Sequence, residues 1–135
     1  MILTSLSKYR DVGLLLMRIG LGTMMILHGW PKLVGGPALW EKLGAAMGHL
    51  GISFFPVGWG FMAALSESLG GALLILGFCF RPATMLLTCT MIVAATMHYK
   101  TSGGEFLEYA WPVELAIVFA SLILIGPGRF SVDKN

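Results

Sequence analysis

A chain of 135 residues has length for one domain, and this one is 56% hydrophobic with only 12% charged residues. A soluble domain normally carries about 25% charged residues, so a surface built to face water is excluded. A net charge of +2 without a dense basic cluster also excludes a track for nucleic acid. What remains is an all-α integral membrane protein, a single membrane domain over residues 1–135 whose first partner is the lipid bilayer.

In chain order, Lys8 and Arg10 precede the first apolar run, but Arg18 interrupts it and no A-x-A site follows. The run is therefore expected to stay in the mature protein rather than act as a signal peptide. It gives a first span over residues 12–30, stopped by Pro31 and Lys32. Residues 37–50 then place Leu39, Leu43, Met47 and Leu50 at three- and four-residue spacing, which predicts a short amphipathic helix lying in the interface. A second span covers 57–78. A third covers 82–98, opening with proline at a favoured first-turn position, and residues 79–81 are too few for anything but an antiparallel hairpin. The polar stretch 99–109 is assigned no structure. A fourth span covers 110–126 and ends at Gly126 and Pro127. The expected architecture is a bundle of four transmembrane helices.

An even number of spans puts both termini on one side. Lys8, Arg10, Arg81, Arg129 and Lys134 on that side outnumber Lys32, Lys42 and Lys100 on the other. The positive-inside rule then places both termini in the cytoplasm, in the cell inner membrane. Trp30, Trp40, Trp59, Trp111, Tyr99 and Tyr109 gather at the opposite boundary as an aromatic belt would. Cys79 and Cys89 form no C-x-x-C and are expected to be inert.

Five ionisable residues fall inside the spans: Arg18, His28, Glu67, His98 and Glu114. Such residues cost about 2.5–3.5 kcal/mol at mid-bilayer, so they usually face the bundle interior and find partners. At about 1.5 Å per residue, Arg18 lies about 18 Å below Trp30 and Glu67 about 15 Å below Val57. Opposite charge at similar depth predicts that Arg18 and Glu67 interact, directly or through one bridging group. Gly60, Ala63, Ala64, Gly70 and Gly71 share the face of Glu67, as close helix packing in membranes requires. His28, His98 and Glu114 cluster at the outer ends of their spans. The expected result is a polar shaft, open outward and closed by an Arg–Glu pair. The plainer readings are that the ion pair only fixes helix register, that His98 is interfacial, and that the nine methionines are packing residues.

An arginine in the first span followed by HGWPKL (28–33) resembles the DoxX family of small four-helix membrane proteins. So do the run from Glu67 to Ala83, His98 ending the third span, Glu114 early in the fourth, and GPGRFSVD at 126–133. The resemblance covers nearly the whole chain and implies membrane redox work, with quinone or thiol chemistry and soluble partners. It does not extend to a soluble domain of the kind a self-sufficient thiosulfate oxidase would need.

The reading carried forward is a subunit of a redox system, a possible oxidoreductase component, that meets quinone or quinol in the shaft. Quinone reduction needs protons at two carbonyl oxygens, which His28 and His98 could supply with Glu114 as relay. Arg18, His28, Glu67 and Trp111 would hold the ring, and electrons would come from a partner. A second reading is a non-catalytic membrane scaffold recruiting soluble oxidoreductases. A third is a haem or metal site built from His28 and His98. A transport role would require a homo-oligomer. Room for a ring between Arg18 and His28 favours the quinone; a dry packed seam there favours the scaffold.

Overall fold

The computed structural model describes residues 2–134, which are almost entirely helical, with no strand among them. A 3-10 turn over Thr4–Tyr9 leads into α1 (Arg10–Val34). A bridging segment follows, made of α2 (Pro37–Gly44) and a second 3-10 turn (Ala45–Leu50). Then come α3 (Pro56–Leu76), α4 (Phe80–Thr101) and α5 (Phe106–Ile125). The four longer helices are each long and apolar enough to cross a membrane. The protein is a four-helix membrane bundle.

Three helix ends differ by more than two residues from the sequence reading. The first helix does not stop at Pro31 but runs on to Val34; proline removes one ladder bond there, a loss that membrane helices tolerate where neighbouring groups satisfy the freed carbonyl. The loop expected over 99–109 shrinks to 102–105, because α4 continues to Thr101 and α5 starts at Phe106. Gly103 and Gly104 make the reversal at φ 70 and 88, and Ser102 Oγ accepts the Glu105 N–H at 3.2 Å.

Helix α1 packs chiefly on α3, and α5 on α4, while the α3–α4 hairpin joins the two halves. The core draws Leu14 and Met25 from α1, Leu74 from α3, Phe80, Leu87 and Met91 from α4, and Phe119 and Leu122 from α5. Leu21 packs against this cluster. Below the histidines the interior is thus a packed apolar seam, and the polar shaft expected from the sequence is absent there.

Glycine sets how closely α1 meets α3. A Cβ on Gly22 would lie 2.5 Å from the Gly71 carbonyl oxygen, and one on Gly29 would lie 2.6 Å from the Glu67 Cβ. Backbones at that separation are the small-residue packing that membrane bundles use. Gly29→Val is expected to lower stability by about 2–3 kcal/mol, the cost of overpacking a fitted interface. Gly20→Ala, with nothing within 4 Å of its Cβ position, is the neutral control. Thermal unfolding in detergent compares the two.

Arg18 is not paired with Glu67. Its side chain is 1% exposed, and it donates four hydrogen bonds to backbone carbonyls. Nε reaches Leu74 O at 3.0 Å and Nη2 reaches Ile75 O at 2.6 Å; Nη1 reaches Pro127 O at 3.0 Å and Phe130 O at 2.6 Å. Leu74 and Ile75 belong to the last turn of α3, whose carbonyls have no partner within the helix. The remaining two carbonyls of that turn are also taken. Leu73 O accepts Gly77 N and Phe78 N, and Leu76 O accepts Val132 N. The chain after α5 is therefore a strap folded back over the hairpin. Asp133 completes it, accepting the Cys79 and Phe80 N–H groups at 3.1 and 2.8 Å where α4 begins.

Candidate functional site

Glu67 finds a different partner. Both of its carboxylate oxygens accept from Lys32 Nζ, at 2.8 and 3.0 Å. The Glu67 side chain is 5% exposed and that of Lys32 is 32% exposed. Lys32 can reach Glu67 because α1 continues past Pro31, and because Gly29, one turn below, lies against Glu67 and Ser68. The depth estimate failed because Trp30 and Val57 are not level. Glu67 stands opposite Gly29, eleven residues or about 16 Å along α1 from Arg18. The extra turns of α3 beyond that level carry the bridging segment.

That segment does not float freely. Gly44 meets Pro56 and Gly60 on α3, and Gly60 in turn sits under the Trp40 backbone, contacts too close for a Cβ at either glycine. Trp40 donates its indole N–H to Lys32 O at 2.9 Å, which caps the last turn of α1, and its ring meets Phe61 edge-on at 5.0 Å. The second 3-10 turn reaches across to α4.

Beneath it lies a chamber of about 280 Å³. Helices α3 and α4 touch near the hairpin, where Gly70 faces Leu87, and they diverge above it. The bridging segment roofs the gap with Gly44, Ala46 and Met47. Ser66 and Thr90 line its lower part, and the Lys32–Glu67 pair stands in one wall. Thr90 Oγ1 lies 3.2 Å from Ser66 Oγ and 2.9 Å from Leu86 O. The other residues around it are mostly apolar, Trp59, Met62 and Val93 among them, so the chamber is a small greasy volume with one ion pair and two hydroxyls.

Of the candidate site residues Arg18, His28, Glu67, His98, Trp111 and Glu114, Glu67 alone lines this chamber. His28, His98 and Trp111 do come together, at a different edge of the bundle. The His28 ring stacks on Trp111 at 6.0 Å and 22°, and His98 meets the same indole edge-on at 5.4 Å. His28 Nδ1 lies 2.8 Å from Met24 O; a carbonyl only accepts, so Nδ1 is the donor in this contact. His28 and Glu114 are exposed on the outside of the bundle. Among the described residues no group of three or more His, Cys, Asp or Glu stands close enough to share a metal ion.

Lys32, Ser66, Thr90 and Cys89 are the site residues that the sequence reading missed. Lys32 carried a signal, since it falls fourteen residues after Arg18 on the buried stripe of Arg18, Gly22, Met25 and Gly29. Ending the helix at Pro31 hid it. Cys89, expected to be inert, borders the chamber.

The sequence profile of the DoxX family matches residues 13–100, which include Arg18, Lys32, Glu67 and His98. The chain belongs to the DoxX family. An uncharacterized protein of Haemophilus influenzae is 31% identical to it, covering 98% of this chain and 97% of its own. Two Escherichia coli relatives, the inner membrane proteins YqjF and YphA, are each 28% identical. They cover 96% and 93% of this chain, and 95% and 91% of their own lengths. No solved structure matches the chain. The family match spans α1 to α4, the elements that build the chamber.

Proposed function

We propose that this DoxX protein is an inner-membrane component of a quinone-linked redox system and that it holds the quinone head in the chamber between α3, α4 and the bridging segment. The observation that carries this reading is the chamber itself, about 280 Å³ of mostly apolar space with the Lys32–Glu67 pair in its wall, the carboxylate nearly buried and the ammonium partly exposed. A quinone ring needs an apolar slot and hydrogen-bond donors for its carbonyl oxygens. Lys32 and the Ser66 and Thr90 hydroxyls are the donors at hand. The relatives named as inner membrane proteins support the location, and the basic residues at the terminal face support cytoplasmic termini. Electrons would come from a soluble partner, since no side chain around the chamber carries them.

The test is binding of a decyl-substituted benzoquinone to the purified protein in lipid nanodiscs. Saturable binding is expected, weakened at least about tenfold, or 1.4 kcal/mol, by Ala63→Phe, which fills the chamber and spares the ion pair. Binding unchanged by that substitution removes the chamber from the reading. The packed seam between Arg18 and His28 favours the scaffold reading instead, and absence of any quinone binding would put the scaffold in its place.

A further inference from the structure

Helix α5 stands at the edge of the bundle. It packs on α4, but its Cα atoms stay more than 8 Å from those of α1, and only side chains cross that gap. His28 of α1 reaches over to stack on Trp111 of α5. At about 100° per residue, Glu114 lies about 60° round from Trp111 on one side and Leu115 about 40° round on the other. Leu115 packs against the core. Glu114 is therefore turned outward, and it is exposed, as His28 is.

A glutamate in that position lacks a partner. It lies about 12 Å from the start of α5 and about 16 Å from its end, inside the span by either measure. Lys32–Glu67 is the one ion pair among the described residues, so nothing within them neutralises Glu114. An ionisable side chain left facing hydrocarbon is costly, and in membrane bundles such groups turn to a partner. His28 has the matching character. Its Nδ1 is engaged with Met24 O, and its other ring nitrogen is open to a carboxylate, a pairing complementary in charge and in hydrogen bonding.

We infer that the face between α1 and α5 is where a second copy of this chain docks, side by side in the membrane, with His28 of each copy meeting Glu114 of the other. Two copies inserted in the same orientation are related by a two-fold axis along the membrane normal, so one patch faces itself and each residue keeps its depth. Such a patch must hold both members of every pair it forms, on opposite sides of the axis. His28 on α1 and Glu114 on α5 meet that condition. Their levels agree as well. Glu114 is about 4.5 Å further along α5 than Trp111, and helical side chains lean toward the N-terminus of their own helix. Helices α1 and α5 cross in opposite directions, so His28 leans inward, Glu114 leans outward, and the two converge on one depth. A different subunit would have to bring a carboxylate and a donor of its own to these places; a second copy already has them.

The test counts copies per particle in liposomes by single-molecule photobleaching, then asks which copy supplies each residue. Wild type is expected to be dimeric. His28→Glu alone and Glu114→His alone each set like groups against one another and should weaken the dimer at least about tenfold. Mixing the two variants should restore it, because every pair across the axis again joins an imidazole to a carboxylate. A pair formed within one chain gains nothing from mixing. Where a charge variant does not accumulate, cysteine pairing is read instead. On a Cys79→Ala, Cys89→Ala background, differently tagged copies bearing His28→Cys and Glu114→Cys are expected to join by a disulfide on oxidation. His28→Cys with Leu124→Cys, at an 84% exposed position deeper on α5, is the control that should not. One copy per particle in wild type overturns the inference and leaves the face to a different subunit. A dimer unmoved by both single variants, a mixture that stays apart, or absence of the disulfide overturns it equally.

Discussion

Arg18→Met is expected to cost on the order of 4 kcal/mol, enough to prevent the folded protein from accumulating. The estimate starts from about 1.5–3 kcal/mol for each hydrogen bond from a charged donor, discounted because four bonds on one group are not additive. Four carbonyls depend on this side chain: Leu74 and Ile75 at the end of α3, and Pro127 and Phe130 in the strap. Leu74 O keeps a second donor in Gly77 N at 3.3 Å, whereas Ile75 O, part-buried at the end of α3, loses its side-chain donor. Arg18→Lys keeps the charge but not the planar fork, so it should restore only part of the loss. Gly77→Ala tests the same junction from the other side. Gly77 sits at φ 65, and an added Cβ would lie 2.6 Å from Arg18 Nη2 and 2.5 Å from Ser131 Cβ. Melting temperature and yield in detergent read all three variants. An Arg18→Met protein that melts within a few degrees of wild type would falsify the capping role.

The second large effect concerns the ion pair. Lys32→Met leaves Glu67 at 5% exposure with no counter-charge, and removing one member of a buried pair costs about 3–5 kcal/mol. Glu67→Gln is expected to be milder, because the Lys32 side chain is 32% exposed and can turn toward solvent or headgroups. The double variant Lys32→Met with Glu67→Gln should regain most of the loss, with a coupling of about 2 kcal/mol in the cycle. Single losses that simply add in the double variant would show that the pair does not hold the helices together. The double variant also separates architecture from ligand binding. Recovered stability with quinone binding still lost assigns the charges to the chamber, and recovery of both assigns them to register alone.

The number and hydropathy of the spans were legible along the chain because lipid imposes a length and a composition on each helix, whereas the ends of α1 and α4 and the start of α5 were not. The glycine face of α3 was legible too, and Gly71 and Gly70 do meet α1 and α4. The partner of Arg18 was not. A sequence shows that a buried guanidinium needs acceptors, but here they are main-chain carbonyls, and no residue type advertises a free carbonyl. Level was the other obstacle. Counting inward from Trp30 and Val57 assumes that both start at one plane, and nothing local to either helix shows that α3 projects beyond α1. The chamber was hidden for a related reason, since Ser66, Glu67 and Thr90 become neighbours only once α3 and α4 diverge from their hairpin.

By itself, the sequence determined the class of solvent, the number of crossings and the fact that each buried charge must be matched, since all three follow from transfer costs paid residue by residue. Tertiary structure alone decided which group matches which. The register of α1 on α3 is set where Gly22, Gly29 and Gly71 let two backbones touch. That contact gives Lys32 to Glu67, leaves Arg18 to the carbonyls of α3 and the strap, and opens the chamber on the far side of the pair.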